Sequence, residues 1–63
     1  MKKFRVMYRQ SERANDPART EEVYADGWKV DSDQVVLYQH EREADVSVFD
    51  VPKTRVLRIQ ELR

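Results

Sequence analysis

Apolar and polar residues alternate along much of the chain with a period of two. Over residues 3–9, Phe4, Val6 and Tyr8 occupy one set of alternating positions, and charged residues together with Met7 occupy the other. Because successive side chains of a β-strand point to opposite faces, this alternation predicts a half-buried strand whose inner face carries Phe4, Val6 and Tyr8.

Further strand-like runs follow the first one. They cover residues 20–25, 28–30, 34–39, 45–49 and 55–62. The run at 34–39 is the richest in β-branched and aromatic residues. Polar turns at 31–33 and 41–43 separate neighbouring runs, and Pro52 ends the run before the last. This spacing of short strands and turns predicts an all-β domain of about five antiparallel strands, either a small barrel or a sandwich.

The segment 17–26 admits a second interpretation. Asp16 could cap the N-terminus of a helix, Pro17 suits the first helical position, and Gly27 stands where a C-terminal glycine belongs. The apolar residues of the segment form a poor helical stripe, so a strand over 20–25 is the preferred prediction. The alternative fold class is α+β, with a short helix at about 17–26.

The predicted strand order resembles an SH3-like small barrel. Such barrels are five-stranded meanders with a long first connection, and a Pro-containing single turn like that at residues 51–54 precedes their last strand. The resemblance covers most of the chain and rests on pattern. Peptide-binding SH3 domains have an Ala-Leu-Tyr type first strand and paired tryptophans, which this chain lacks. The resemblance therefore implies a fold and no ligand.

Length and composition limit the function classes. Sixty-three residues make one small domain, 1–63, and the chain has no cysteine and a single glycine. Disulfides, thiol catalysis, cysteine-ligated zinc and glycine-rich phosphate loops are thereby excluded. We expect no enzymatic activity and no cofactor. Arg5 and Arg9 interrupt the apolar run that a signal peptide needs, so we expect a cytoplasmic protein with no membrane partner.

Charge is segregated along the chain although the net charge is zero. Residues 1–20 carry six basic and two acidic residues, residues 21–50 carry two and nine, and residues 51–63 carry four and one. Both ends are therefore basic and the middle is acidic. Segregation of this kind indicates contact with a charged partner.

His40 is the only histidine, and Glu41, Glu43 and Asp45 follow it closely. A histidine with carboxylates can ligate a transition metal or transfer protons. The spacing identifies neither a nucleophile nor an orienting partner for His40. A solvated, charged turn is the simpler interpretation, and we predict no catalytic residue and no metal site.

The segment 28–39 supplies apolar groups to both faces of a predicted hairpin. A three-residue turn at 31–33 would put Trp28 and Val30 on the same face as Val36 and Tyr38. A sheet that buries only one face needs apolar side chains on that face alone, so a strand that is apolar on both faces leaves one apolar face for another contact. Large aromatic residues often anchor protein interfaces.

The leading hypothesis is therefore a small non-enzymatic binding, adaptor or regulatory protein whose partner is another protein. Its acidic middle segment would direct it to a basic partner surface. The predicted interaction site consists of Trp28, Val36, Tyr38, Glu41, Glu43 and Asp45.

Two alternatives stay open. The first is nucleic-acid binding through the first and last strands, which the resemblance to an SH3-like barrel implies are paired antiparallel and share a basic outer face. Its predicted residues are Lys3, Arg5, Arg9, Arg55 and Arg58. The second is a self-assembling structural subunit, a homo-oligomer joined through an exposed edge strand.

Overall fold

The computed structural model describes residues 1–13 and 15–63 of the chain. Its strands are β1 (Lys2–Arg9), β2 (Ala18–Ala25), β3 (Gly27–Asp31), β4 (Gln34–Glu41), β5 (Ala44–Pro52) and β6 (Val56–Leu62), and a 3-10 turn, Lys53–Arg55, links the last two. The all-β prediction is confirmed for this part of the chain. The first five strands are longer at their ends than predicted, whereas the last begins at Val56, one residue later than predicted. Pro52 is the last residue of β5, as expected of a residue that cannot continue a ladder.

The six strands form two antiparallel sheets. Sheet A has the order β2-β1-β6, and sheet B has the order β3-β4-β5. The first and last strands pair antiparallel, as predicted. The described residues do not form a closed five-stranded barrel, because β2 and β3, which Asp26 separates, belong to different sheets. The Asp26 N–H donates to the Tyr38 carbonyl oxygen at 2.8 Å, beside the ladder pair Gly27–Tyr38. This local irregularity bends the chain from sheet A into sheet B.

The alternative helix at 17–26 is wrong. Residues Ala18–Ala25 form β2, which pairs with β1 along its whole length without a register shift. Val23 lies opposite Phe4 on the inner face, and Ala25 is fully buried. These contacts explain the outcome, because a helix would have turned the same residues away from the β1 ladder that buries them.

Both turns of sheet B are two-residue turns. Asp31 pairs with Gln34 and Glu41 pairs with Ala44, so the turns consist of Ser32–Asp33 and Arg42–Glu43. Ser32 and Arg42, each at the first turn position, have φ angles of 56° and 55°. A positive φ at this position is typical of type II′ hairpin turns, where glycine is the favoured residue.

The core lies where the inner faces of the two sheets meet. Phe4, Val6, Ala25 and Leu37 are buried there. Around them, half-buried apolar residues complete the cluster: Tyr8, Val23, Phe49 and Ile59. The rings of Tyr8 and Phe49 meet edge to face with centroids 5.8 Å apart. The predicted inner face of β1 is thereby confirmed.

The β4–β5 hairpin extends beyond this core. Every residue from His40 to Val48 is exposed, whereas Leu37 and Val35 on the same hairpin are buried. The molecule measures 41 Å in its longest dimension, against about 27 Å for an eight-residue strand. We call residues 39–48 the arm. Val48 is the extra residue of a β-bulge at its base, and bulges of this kind redirect a strand.

Candidate protein-binding surface

The register between β3 and β4 decides which side chains share a face. Gly27 pairs with Tyr38 and Lys29 with Val36, whereas Trp28 pairs with Leu37. Tyr38 and Val36 therefore lie on the outer face of sheet B, and Trp28 lies on the inner face. The prediction that Trp28 and Val30 share a face with Val36 and Tyr38 is wrong. Its three-residue turn was one residue too long, and a one-residue slip moves every side chain of a strand to the other face.

Tyr38 is the centre of the outer face of sheet B. Its ring lies over Gly27, it carries the Lys29 ammonium 5.5 Å above its centroid, and the His40 ring meets it edge-on at 5.4 Å. A cation over a tyrosine ring and an edge-to-face ring pair are both favourable contacts. The three contacts fix a half-buried aromatic ring in the middle of an otherwise polar surface.

A depression of about 310 Å³ surrounds Tyr38 on this outer face. Val36 and Tyr38 provide its apolar part, and β5 contributes Asp45, Ser47 and Asp50. Carboxylates outnumber the single ammonium of Lys29 along this surface. The predicted residues Val36, Tyr38 and Asp45 are thus brought together at one site, and its charge is negative.

His40 and Asp45 form a cross-strand pair at the base of the arm. The His40 Nδ1 atom lies 2.5 Å from Asp45 Oδ1, and the two residues are ladder partners. The Asp26 carboxylate accepts the backbone N–H of His40 at 2.6 Å, immediately before Gly27, where β3 begins. Sequence spacing alone identified no partner for His40. Counting outward from a two-residue turn at Arg42–Glu43 would have identified Asp45.

The contacts of His40 are those of a surface pair. Its side chain is 65% exposed, and within residues 1–13 and 15–63 no three His, Asp or Glu side chains converge as metal ligands. The pair orients the imidazole and joins the two strands of the arm. This is the charged hairpin that the sequence predicted.

The tip of the arm carries Glu41 and Glu43. Glu41, Arg42, Ala44 and Val46 line a shallow recess there of about 510 Å³. Val46 and Val48 are 42% and 41% exposed, although valine usually occupies the inner face of a sheet. Glu41 and Glu43 thus lie at the end of the arm, at a distance from Trp28, which belongs to the inner face of β3.

The predicted basic surface is partly neutralised. On the outer face of sheet A, Lys3 Nζ and Arg5 Nη2 lie 2.9 Å and 3.1 Å from the two carboxylate oxygens of Glu22. The hydrogen bond with Glu22 holds the pKa of Lys3 above its ordinary value. The hydrogen bonds from Lys3 and Arg5 hold the pKa of Glu22 below its ordinary value. Such exposed pairs reduce the positive charge that a phosphate backbone would meet.

The remaining predicted basic residues lie at separate places. Arg58 faces Met7 across the β1–β6 ladder, so it shares the outer face of sheet A with Arg5. Arg9 is at the exposed end of β1. Arg55 belongs to the 3-10 turn, and its guanidinium donates to the Gln10 carbonyl oxygen at 2.6 Å. The five residues therefore form no single uninterrupted stripe.

Within the described residues no helix is long and apolar enough to cross a membrane. Comparison of the chain with models of protein families, with curated proteins and with solved structures found no match.

Proposed function

We propose that the chain is a small non-enzymatic protein-binding module that contacts a basic partner through its arm and the adjoining outer face of sheet B. The observation that carries this proposal is the continuous exposure of His40 to Val48 on a hairpin that extends beyond the core. Isolated two-stranded hairpins are only marginally stable, so an arm of this kind contributes little to folding. Its valines and carboxylates are accordingly available to a partner.

The charge of the arm indicates the chemistry of the partner. Residues 39–48 contain three carboxylates and one guanidinium, and Asp50 adds a further carboxylate beside Tyr38. Acidic surfaces raise the association rate with basic surfaces and exclude acidic ones. Tyr38 supplies apolar contact area beside Asp45 and Asp50 on the outer face. Val46 supplies more beside Glu41 on the opposite face of the arm. This combination of carboxylates and apolar side chains suits a protein surface that carries lysine or arginine around an apolar patch.

The nucleic-acid alternative remains a proposal with weaker support. Two of its five residues, Lys3 and Arg5, share Glu22, and Arg55 is held by the Gln10 carbonyl group. For the finer fold we propose an SH3-like strand order in an unclosed arrangement, which the antiparallel pairing of the first and last strands supports.

The test is affinity capture from an extract of the source organism with and without nuclease treatment. The bait is the chain itself, beside the double variant Glu41→Gln/Glu43→Gln and a matched control, Glu21→Gln/Glu61→Gln, which makes the same charge change on sheet A. We expect a protein that survives nuclease treatment, is retained by the control and is lost with the arm variant. Capture that depends on nucleic acid, or that is equal for both variants, would contradict the proposal.

A further inference from the structure

Strand β3 leaves one edge of sheet B open. Its residues Trp28 to Asp31 are all exposed. Asp31 and Gln34 close a two-residue turn, so they form a hydrogen-bonded pair, and alternate residues of β3 bond to β4. Lys29 and Asp31 therefore direct their backbone groups to β4. The backbone N–H and C=O groups of Trp28 and Val30 face the free edge.

The same two residues expose apolar side chains on the inner face. Trp28 is 46% exposed and Val30 is 52% exposed. The edges formed by β5 and β6 are interrupted by bulges at Val48 and Leu57, which hinder the addition of another strand. The edge formed by β2 is regular but carries Arg19, Glu21 and Glu22, and charged side chains on an edge also oppose strand addition. The pairing of β3 with β4 is regular throughout, so its free edge is straight. A regular, apolar free edge is a template for a further strand.

We propose that β3 pairs antiparallel with β3 of a second copy of this chain, around a two-fold axis at Lys29. In this register Trp28 of each copy lies opposite Val30 of the other. The outward-facing backbone groups then form four hydrogen bonds between the copies, and an aromatic–β-branched pair forms twice on one face. The result is a six-stranded sheet built from two copies of sheet B.

Charge and side-chain complementarity favour a second copy as the occupant. The net charge is zero, so two copies do not repel as a whole. The two Lys29 residues face each other at the two-fold axis, but each side chain is drawn over Tyr38, away from the edge, and Asp31 of the other copy is its diagonal neighbour. The exposed side chains of Trp28 and Val30 are complementary to the same pair in a second copy, which would bury them.

Sedimentation equilibrium on the purified chain tests this inference without any other partner, so its outcome is independent of the arm. Val30→Pro removes an outward-facing N–H and leaves the β3–β4 ladder intact, whereas Val30→Thr keeps the backbone donor and the shape of the side chain. We expect the mass to rise twofold between about 10 µM and about 1 mM for the unmodified chain and for Val30→Thr. We expect Val30→Pro to remain a monomer.

A monomer at every concentration for the unmodified chain would overturn the inference, and so would a Val30→Pro variant that dimerises as well as the unmodified chain. Circular dichroism checks that Val30→Pro folds. If it does not, Val30→Lys replaces it, since a charge on this edge blocks strand addition without removing the N–H. A monomeric unmodified chain, or a Val30→Lys variant that dimerises as well as the unmodified chain, would then overturn the inference.

Discussion

Gly27 lies beneath the ring of Tyr38, so that a Cβ atom on Gly27 would stand 2.6 Å from the tyrosine Oη and 2.9 Å from Cζ. The chain has this one glycine, and it faces the one aromatic ring at the centre of the outer face of sheet B. The absence of a side chain at residue 27 is therefore what allows the Tyr38 ring to occupy this position, in contact with Lys29 and His40.

Gly27→Ala should displace the ring and destabilise the fold by about 1 kcal/mol. In a Tyr38→Ala background the same substitution should be neutral or stabilising by about 0.5 kcal/mol, because the residue has no positive φ and alanine restricts the unfolded chain. Urea denaturation of the four proteins of this double-mutant cycle measures the coupling. Equal costs of Gly27→Ala in the two backgrounds would show that the ring is not the obstacle.

Glycine at the first position of either turn of sheet B should stabilise the fold. Ser32 and Arg42 hold positive φ angles that L-residues adopt at a cost of about 1 kcal/mol. Ser32→Gly should therefore raise the free energy of unfolding by about 0.5 kcal/mol. Asp33→Gly, one residue further along the same turn, is the control and should lower it. A destabilised Ser32→Gly variant would contradict the described turn geometry.

Substitution of two leucines, one in the core and one at the surface, should have very different effects on the free energy of unfolding. Leu37 is fully buried and Leu57 is 47% exposed at a bulge. Leu37→Ala should cost about 2–5 kcal/mol, which in so small a domain amounts to unfolding, since a cavity remains in the core. Leu57→Ala should cost less than about 1 kcal/mol. Far-ultraviolet circular dichroism during urea denaturation measures both, and similar costs would refute the assignment of the core.

The Lys3–Glu22–Arg5 cluster should make stability depend weakly on pH and salt. The pKa of Glu22 is lowered in the folded state, so its contribution is complete above the ordinary pKa of glutamate and is lost as the pH falls through the folded value. The raised pKa of Lys3 has the opposite sign, and its contribution is lost as the pH rises through the folded value.

Glu22→Gln should therefore flatten the acid side of the profile of unfolding midpoint against pH. Because the cluster is exposed, the difference from the unmodified chain should disappear in about 1 M salt. Glu12→Gln serves as a control outside the cluster, since the Glu12 side chain accepts a hydrogen bond from Thr54. If Glu22→Gln left the dependence of the unfolding midpoint on acid pH unchanged, the Lys3–Glu22–Arg5 cluster would be excluded as the cause of that dependence.

Asp26 should stabilise the backbone at the base of the arm. Its carboxylate accepts the His40 N–H beside the first residue of β3. Asp26→Ala should increase amide hydrogen exchange in residues 39–48 and leave exchange in sheet A unchanged, because the lost contact is local. Asp26→Asn keeps an acceptor oxygen and should behave nearly like the unmodified chain. A uniform increase across both sheets would show a global loss of stability instead.

Much of the fold could be predicted from the sequence. The inner face of β1 followed from alternation, the two polar turns followed from their residues, and the pairing of the first and last strands followed from the resemblance to an SH3-like barrel. The sequence pattern separated the runs 20–25 and 28–30. Their assignment to different sheets could not be predicted, because the bend between them depends on a backbone hydrogen bond from Asp26 to Tyr38, a distant residue. The side chains of β3 were assigned to the wrong faces. The predicted turn has three residues and the observed turn has two, and this difference of one residue exchanges the two faces of the strand.

The candidate site shows the same limits. Glu41, Glu43 and Asp45 were predicted from local composition, and all three lie on the arm. Trp28 was grouped with Tyr38 although the register separates them, and the cluster of Tyr38 with Gly27 and Lys29 was missed. Cross-strand contacts of this kind depend on the ladder register, which a single sequence specifies only through its turns.

The most direct test of the proposed function is to add unlabelled extract of the source organism to the ¹⁵N-labelled chain and to follow its amide resonances. We predict selective broadening of residues 39–48 and of Tyr38 that persists after nuclease treatment and is absent from the Glu41→Gln/Glu43→Gln variant. Broadening centred on Arg5, Arg9 and Arg58 that nuclease abolishes, or broadening uniform along the chain, would contradict the assignment of the arm as the binding surface.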